Sequence, residues 1–162
     1  HRISSTRSGP ISLRFKMTIH IDTEIKRILS DRLKSTPLKL REAIEYSVLG
    51  PGKRIRPRLL LSTGEALKLD PRTLIPAAAS IEFIHAYTLI HDDLPCMDND
   101  DTRRGRPTTH KAFDEGTALL AGDSLIPLAF ETVSESEFDS GAKINAVMSL
   151  AEISGAVGVV AG

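Results

Sequence analysis

The sequence predicts an all-α fold: a bundle of roughly six or seven helices packed around one core. Three observations predict it. Apolar residues recur at three- and four-residue steps with charges between them, the mark of amphipathic helices. Proline and glycine punctuate the chain at helix-length intervals. No stretch alternates as a strand does, and the apolar run Val157 to Val160 is too short to outweigh its surroundings. With 162 residues, of which 41% are hydrophobic, the chain can bury a core as one domain.

Residues 1–16, HRISSTRSGPISLRFK, carry arginine and serine but no acid, and read as a tag, read-through or transit-like extension ahead of Met17. From Ile19 the helical pattern begins, with Ile21, Ile25, Ile28, Leu29 and Leu33 on one stripe. Thr36-Pro37 ends that helix and starts the next, which carries Leu38, Ala43, Ile44 and Val48. Gly50-Pro51-Gly52 breaks the chain. The basic run from Lys53 to Arg58 then opens a third helix through Leu59, Leu60, Leu61 and Ala66. Cations at a helix N-terminus oppose its dipole, so this motif suggests an anion bound between them; a solvated basic turn is the competing reading. Asp70-Pro71 is a cap signal, and a long apolar helix is expected from about Pro76 to the acidic cluster. Further helices are expected from Thr117 to Val133, with a kink at Pro127, and from Ile144 to the end, joined by a polar linker at 134–140.

Lysine plus arginine equals aspartate plus glutamate, 21 each, which argues against a protein that coats nucleic acid or an acidic membrane surface. One cysteine excludes a disulfide framework and suits a reducing, cytoplasmic setting. No uninterrupted apolar run approaches the roughly 20 residues of a membrane span, so no membrane partner is expected.

The stretch His85 to His110 concentrates the chemistry. Asp92, Asp93, Asp98, Asp100 and Asp101 crowd together, followed at once by Arg103, Arg104 and Arg106. Carboxylates this close repel unless a cation sits among them, and a hard divalent ion takes oxygen ligands. Forked guanidinium donors beside it suit a phosphate or diphosphate. A solvated mixed-charge loop is the alternative. The EF-hand pattern fails, because counting from Asp98 the required glycine and glutamate positions hold Arg103 and Thr109. Too few histidines and cysteines are present for zinc, and Cys96 reads as a small apolar filler. In an unbroken helix Asp92 and Asp98 would stand about 120° apart. Pro95 is expected to break the helix and bring Asp98 back towards Asp92. His85 lies about two turns before Asp92 and shares its face.

DDLPCMD followed by NDDTRRGRPTTH resembles the first aspartate-rich motif of the trans-isoprenyl diphosphate synthases, in the form with four residues between the aspartate pair and the third aspartate. GPGKRIRPRLLL resembles the family's upstream Gly-Gly-Lys-Arg motif, with Pro51 where a glycine is usual. IEFIHAYTLIHDDLP and LLAGDSLIPLAFE resemble the helices before and after the acidic motif. The resemblance implies an isoprenoid synthase-type helical bundle around a central cavity. It further implies that Asp92 and Asp98, with Asp93 in support, bind Mg²⁺ on the diphosphate of an allylic substrate (dimethylallyl or geranyl), which Arg103 also grips. Gly52, Lys53, Arg56, His85 and Arg104 would hold isopentenyl diphosphate. The implied reaction is head-to-tail prenyl transfer. Tyr87 and Thr88 lie about one turn below Asp92, and an aromatic there goes with farnesyl diphosphate as product. Geranylgeranyl diphosphate synthesis, or a non-catalytic subunit of a heteromeric synthase, are the alternatives. Residues 17–162 match the N-terminal half of such a domain. A homodimer is expected of the full-length form, and this chain is expected not to turn over alone.

Overall fold

A computed structural model of the chain describes residues 10–161, with side chains from Ile21 onward. The extension expected at residues 1–16 lies mostly outside the described residues. The architecture is all-α, with seven helices among the described residues: α1 (Pro10–Arg32), α2 (Leu38–Val48), α3 (Ile55–Ala66), α4 (Pro71–Asp92), α5 (Thr109–Ala112), α6 (Glu115–Ser134) and α7 (Ser140–Ser154). A short 3₁₀ turn, Val159–Ala161, follows.

The central element is α4. It packs most extensively on α6 and next on α3, with α1 and α2 completing the core around it. Small residues permit this. Ala78 and Ala79 on α4 and Ala118, Ala121 and Ala129 on α6 are all 0% exposed, and Phe83, also 0% exposed, belongs to the same buried cluster. Gly122 serves the same contact more stringently. A Cβ there would lie 2.2 Å from His91 Nε2 on α4, so only glycine lets His91 lie across α6 and meet the Leu119 carbonyl at 3.1 Å.

Helix α4 begins earlier than the expected Pro76. Asp70 caps it by accepting from the Arg72 N–H at 2.9 Å, and Pro71 occupies the first turn, where its missing donor does no harm. Pro76 is then tolerated inside the helix. Likewise α3 begins at Ile55 rather than Lys53, because Arg54 takes a left-handed conformation (φ +48°) at its start. The last helix stops at Ser154 instead of running on. Gly155 and Gly158 turn the chain so tightly that a Cβ on Gly158 would meet the Ile153 carbonyl oxygen.

No strand was expected, yet one short pair is present. The segment after the acidic cluster is not a plain loop but a two-stranded antiparallel hairpin, β1 (Thr102–Arg103) and β2 (Arg106–Pro107), with Arg103 opposite Arg106. Its turn residues, Arg104 (φ +53°) and Gly105 (φ +76°), both lie in the left-handed region, as a tight two-residue hairpin turn requires.

By length and composition two stretches, Pro71–Asp92 and Ser140–Ala161, are apolar enough to cross a membrane, although charged residues interrupt both. The first is the core helix, with 61% of its apolar window buried; the second is 11% buried and leaves Ile144, Met148 and Ile153 exposed.

Candidate diphosphate and metal site

Helix α4 ends at Asp92, just ahead of Pro95, which has no N–H to continue it. The chain then doubles back: the Asp98 N–H donates to the Asp92 carbonyl at 2.8 Å, and the Met97 and Asn99 N–H groups both donate to Leu94. Asn99 takes a left-handed conformation (φ +55°), which asparagine tolerates. Asp98 therefore returns to the end of α4. Cys96, in the same turn, is exposed rather than a filler.

The crowded carboxylates separate into two groups. Asp93 is buried and receives Arg103 Nε at 2.7 Å and Nη2 at 2.6 Å. Asp100 meets the same Arg103 Nη2 at 3.3 Å, and Asp101 pairs with Lys111 at 2.8 Å. Asp92 and Asp98 make no ion pair or side-chain hydrogen bond among the described residues. Asp92 is half-buried and Asp98 exposed. Thus, of the three aspartates that the resemblance assigns to a metal, Asp92 and Asp98 are left without a cation partner among the described residues, while Asp93 pairs with Arg103 and positions it. Its carboxylate holds the Arg103 guanidinium above its ordinary pKa, chiefly through that hydrogen bond.

Among the described residues no three His, Cys, Asp or Glu side chains converge as an all-protein metal cage. Two free hard oxygen donors are nevertheless the donor set that fits Mg²⁺, which usually keeps several waters and binds through one or two carboxylates plus substrate phosphates.

About two turns back along α4, at His85, lies a pocket of ≈ 370 Å³. Gly52, Lys53, Arg56, His85 and Arg104, all five residues expected to hold isopentenyl diphosphate, line it together with Arg54 and Glu82. The hairpin turn delivers Arg104. Its Nη1 donates to the Pro51 carbonyl at 2.9 Å, and its Nη2 reaches His85 Nε2 at 3.5 Å. Gly52 is required by close approach: a Cβ would lie 2.6 Å from Arg104 Nη1 and 2.7 Å from Arg54 Nη1. A larger concavity, ≈ 810 Å³, lies elsewhere, where Arg27 and Asp31, and Asp70 and Arg72, pair with each other.

Burial, reinforced by the charges of Arg56, Arg104, Arg103 and Arg54, pushes the His85 imidazole down from 6.5 to about 4. The site is thus a cationic pocket around a neutral histidine. The unfolded chain takes up a proton at His85 as pH falls below 6.5, and the folded chain resists until about 4. Stability present above pH 6.5 is therefore lost between those values. His85→Gln should remove about 2 kcal/mol of the loss seen on going from pH 7 to 4.5, measured as the difference between urea unfolding curves of the two proteins.

Tyr87 is buried below Asp92, and burial and the Asp92 carboxylate together push its phenol up. Its hydroxyl donates to the Ser154 carbonyl at 3.3 Å, and its ring meets His91 edge-on at 5.6 Å. Thr88 turns its hydroxyl back to the His85 carbonyl at 2.8 Å.

Two features escaped the sequence. Arg54 is the most engaged side chain of the basic motif, although its neighbours Lys53 and Arg56 drew the attention. Tyr46 carries the guanidinium of Arg106 over its ring at 3.9 Å and donates to the Pro107 carbonyl at 2.8 Å, fixing β2 to α2.

The polyprenyl synthetase family model matches residues 37–158. The chain belongs to the polyprenyl synthetase family. A farnesyl diphosphate synthase of Geobacillus stearothermophilus is 48% identical over 145 residues, covering 88% of this chain and 48% of that protein. A chloroplastic geranylgeranyl pyrophosphate synthase of Arabidopsis thaliana is 50% identical over 127 residues, 78% of this chain and 37% of its own length. The crystal structure of a geranyltransferase from Legionella pneumophila superposes with a TM-score of 0.89 at 37% identity, over 93% of this chain and 53% of that one. As a polyprenyl synthetase, the chain therefore spans half or less of the length of these curated relatives.

Proposed function

We propose that this chain supplies the first substrate-binding wall of a trans-prenyltransferase that condenses an allylic diphosphate, dimethylallyl or geranyl, with isopentenyl diphosphate. One observation supports the reading: two unlike polar clusters lie along α4, one at its C-terminal end around Asp92 and one at His85. One offers two unpaired carboxylates and Arg103; the other is the cationic pocket of Lys53, Arg56, His85 and Arg104. Two diphosphates need two such places, and a single phosphate ester does not.

In this reading Asp92 and Asp98 hold Mg²⁺, which when bound neutralises charge on the departing diphosphate. Arg103, held from behind by Asp93 and Asp100 through Nε and Nη2, presents Nη1 to the same diphosphate. Lys53, Arg56 and Arg104 bind the isopentenyl diphosphate head, and the neutral His85 donates or accepts beside it without adding to their repulsion. The allylic C–O bond breaks with its electron pair leaving on diphosphate. The isopentenyl double bond attacks the resulting cation, and a proton is then lost. Apolar side chains of α4 and α6 exclude water from that cation.

Farnesyl diphosphate is the proposed product, because the buried Tyr87 lies below Asp92, where it would floor the cavity. Geranylgeranyl diphosphate is the competing product, favoured by the likeness to the Arabidopsis protein. A homodimer in a reducing, cytoplasmic setting completes the proposal. Grafting residues 37–158 in place of the matching segment of the Geobacillus protein tests it. The chimera should convert geranyl diphosphate and isopentenyl diphosphate to farnesyl diphosphate and stop there, and Tyr87→Ala should lengthen the product. An inactive but folded chimera counts against the function, and unchanged product length in Tyr87→Ala counts against the ruler.

A further inference from the structure

We propose that Arg54 is the positioning residue of the cationic pocket, setting Lys53 and Arg56 opposite His85 without itself touching substrate. The proposal rests on reading that pocket as the isopentenyl diphosphate subsite.

The basic motif alternates in direction. Lys53 and Arg56 are exposed, whereas the Arg54 side chain, between them, is 5% exposed. Its left-handed backbone (φ +48°, ψ 43°) marks the reversal that turns it inward at the start of α3. There the guanidinium gathers four acceptors from three directions. Nε donates to Asp22 of α1 at 2.7 Å, and Nη1 to Glu82 of α4 at 3.0 Å. Nη2 donates to the carbonyls of Val48 and Gly50, both at 3.0 Å, at the end of α2.

Each bond fixes a different boundary of the pocket. Glu82, whose side chain is 6% exposed, lies about one turn before His85 on the same face of α4, so the pair ties the basic loop to the helix that carries the histidine. The carbonyl bonds fix the Val48–Gly50 segment from which Gly52 and Lys53 follow. Gly52 is then enclosed between Arg54 Nη1 and Arg104 Nη1, so the loop and the hairpin turn share one register. Moving either partner of such a buried carboxylate–guanidinium pair strands the other charge, so the pair holds the loop and α4 in one arrangement.

Lysine at this position keeps the charge but has a point-like ammonium with three donors, which cannot serve four acceptors spread around a planar fork. Arg54→Lys therefore separates geometry from electrostatics. The test uses the 162-residue chain and two calorimetric titrations: isopentenyl diphosphate without metal, and inorganic diphosphate with Mg²⁺ after the pocket is saturated with isopentenyl diphosphate. Lys53→Ala serves as the reference for the pocket itself. Arg54→Lys, folded by circular dichroism, should weaken isopentenyl diphosphate binding about tenfold and leave the Mg²⁺-dependent titration within about twofold. A merely structural loosening would lower both together, and that result overturns the proposal. So does unchanged isopentenyl diphosphate binding by Arg54→Lys when Lys53→Ala loses it. If Lys53→Ala binds as the parent does, the pocket reading itself falls, and this proposal with it. Should Arg54→Lys not fold, Asp22→Asn decides by the same criterion, since Asp22 is 44% exposed and lies on the open side of the cluster.

Discussion

In the Geobacillus chimera, Asp92→Asn is expected to lower prenyl transfer by about a thousandfold or more. The physical reason is that Asp92 has no cation partner among the described residues and, in the proposed function, would hold the metal on the departing diphosphate. An amide keeps the size and removes the charge. The folded protein should tolerate the change, because no ion pair is broken by it. Asp101→Asn is the matched control: its carboxylate is exposed and pairs with Lys111. Neutralising it should alter the rate by no more than about twofold, since exposed pairs contribute little. Equal losses in both variants would mean that the acidic segment acts as a diffuse charge, without assigned ligands.

Phe83→Ala carries the largest expected effect on stability. Phe83 is 0% exposed in the middle of α4, among alanines that cannot expand to fill the space it leaves. Loss of the ring removes apolar burial and leaves a cavity, together about 3–5 kcal/mol. For a chain of this size the melting temperature should fall by about 10 °C. Guanidinium unfolding measures the free energy and thermal unfolding the melting temperature, both followed by circular dichroism. A loss below about 1 kcal/mol would mean that α4 and α6 close over the gap, contrary to the rigid packing inferred from Ala118, Ala121 and Gly122.

Much of this architecture was legible because it depends on short-range rules. Periodicity located the helices, and Asp70-Pro71 marked the true start of α4, although the apolar run suggested a later one. Pro95 announced both the helix end and the return of Asp98. The hairpin was missed because its turn uses Arg104-Gly105 in place of the asparagine or aspartate that usually signals such a turn. The division of the five carboxylates was also invisible. Which aspartate meets Arg103 or Lys111 depends on the hairpin register and on α5, not on spacing along the chain. Arg54 was overlooked for a related reason. In a run of like residues nothing in the sequence says which one the backbone turns inward, and its partners Asp22 and Glu82 lie far off along the chain.

The two-subsite arrangement is tested most directly by competition on the chain itself. Isopentenyl diphosphate is titrated alone and then in the presence of saturating Mg²⁺ and inorganic diphosphate. Two separate subsites along α4 require additive heats, the metal-dependent one lost in Asp92→Asn with Asp98→Asn and the metal-independent one lost in Lys53→Ala. Full mutual competition, with both variants losing the same single event, would contradict two subsites and leave one anion site shared by both clusters.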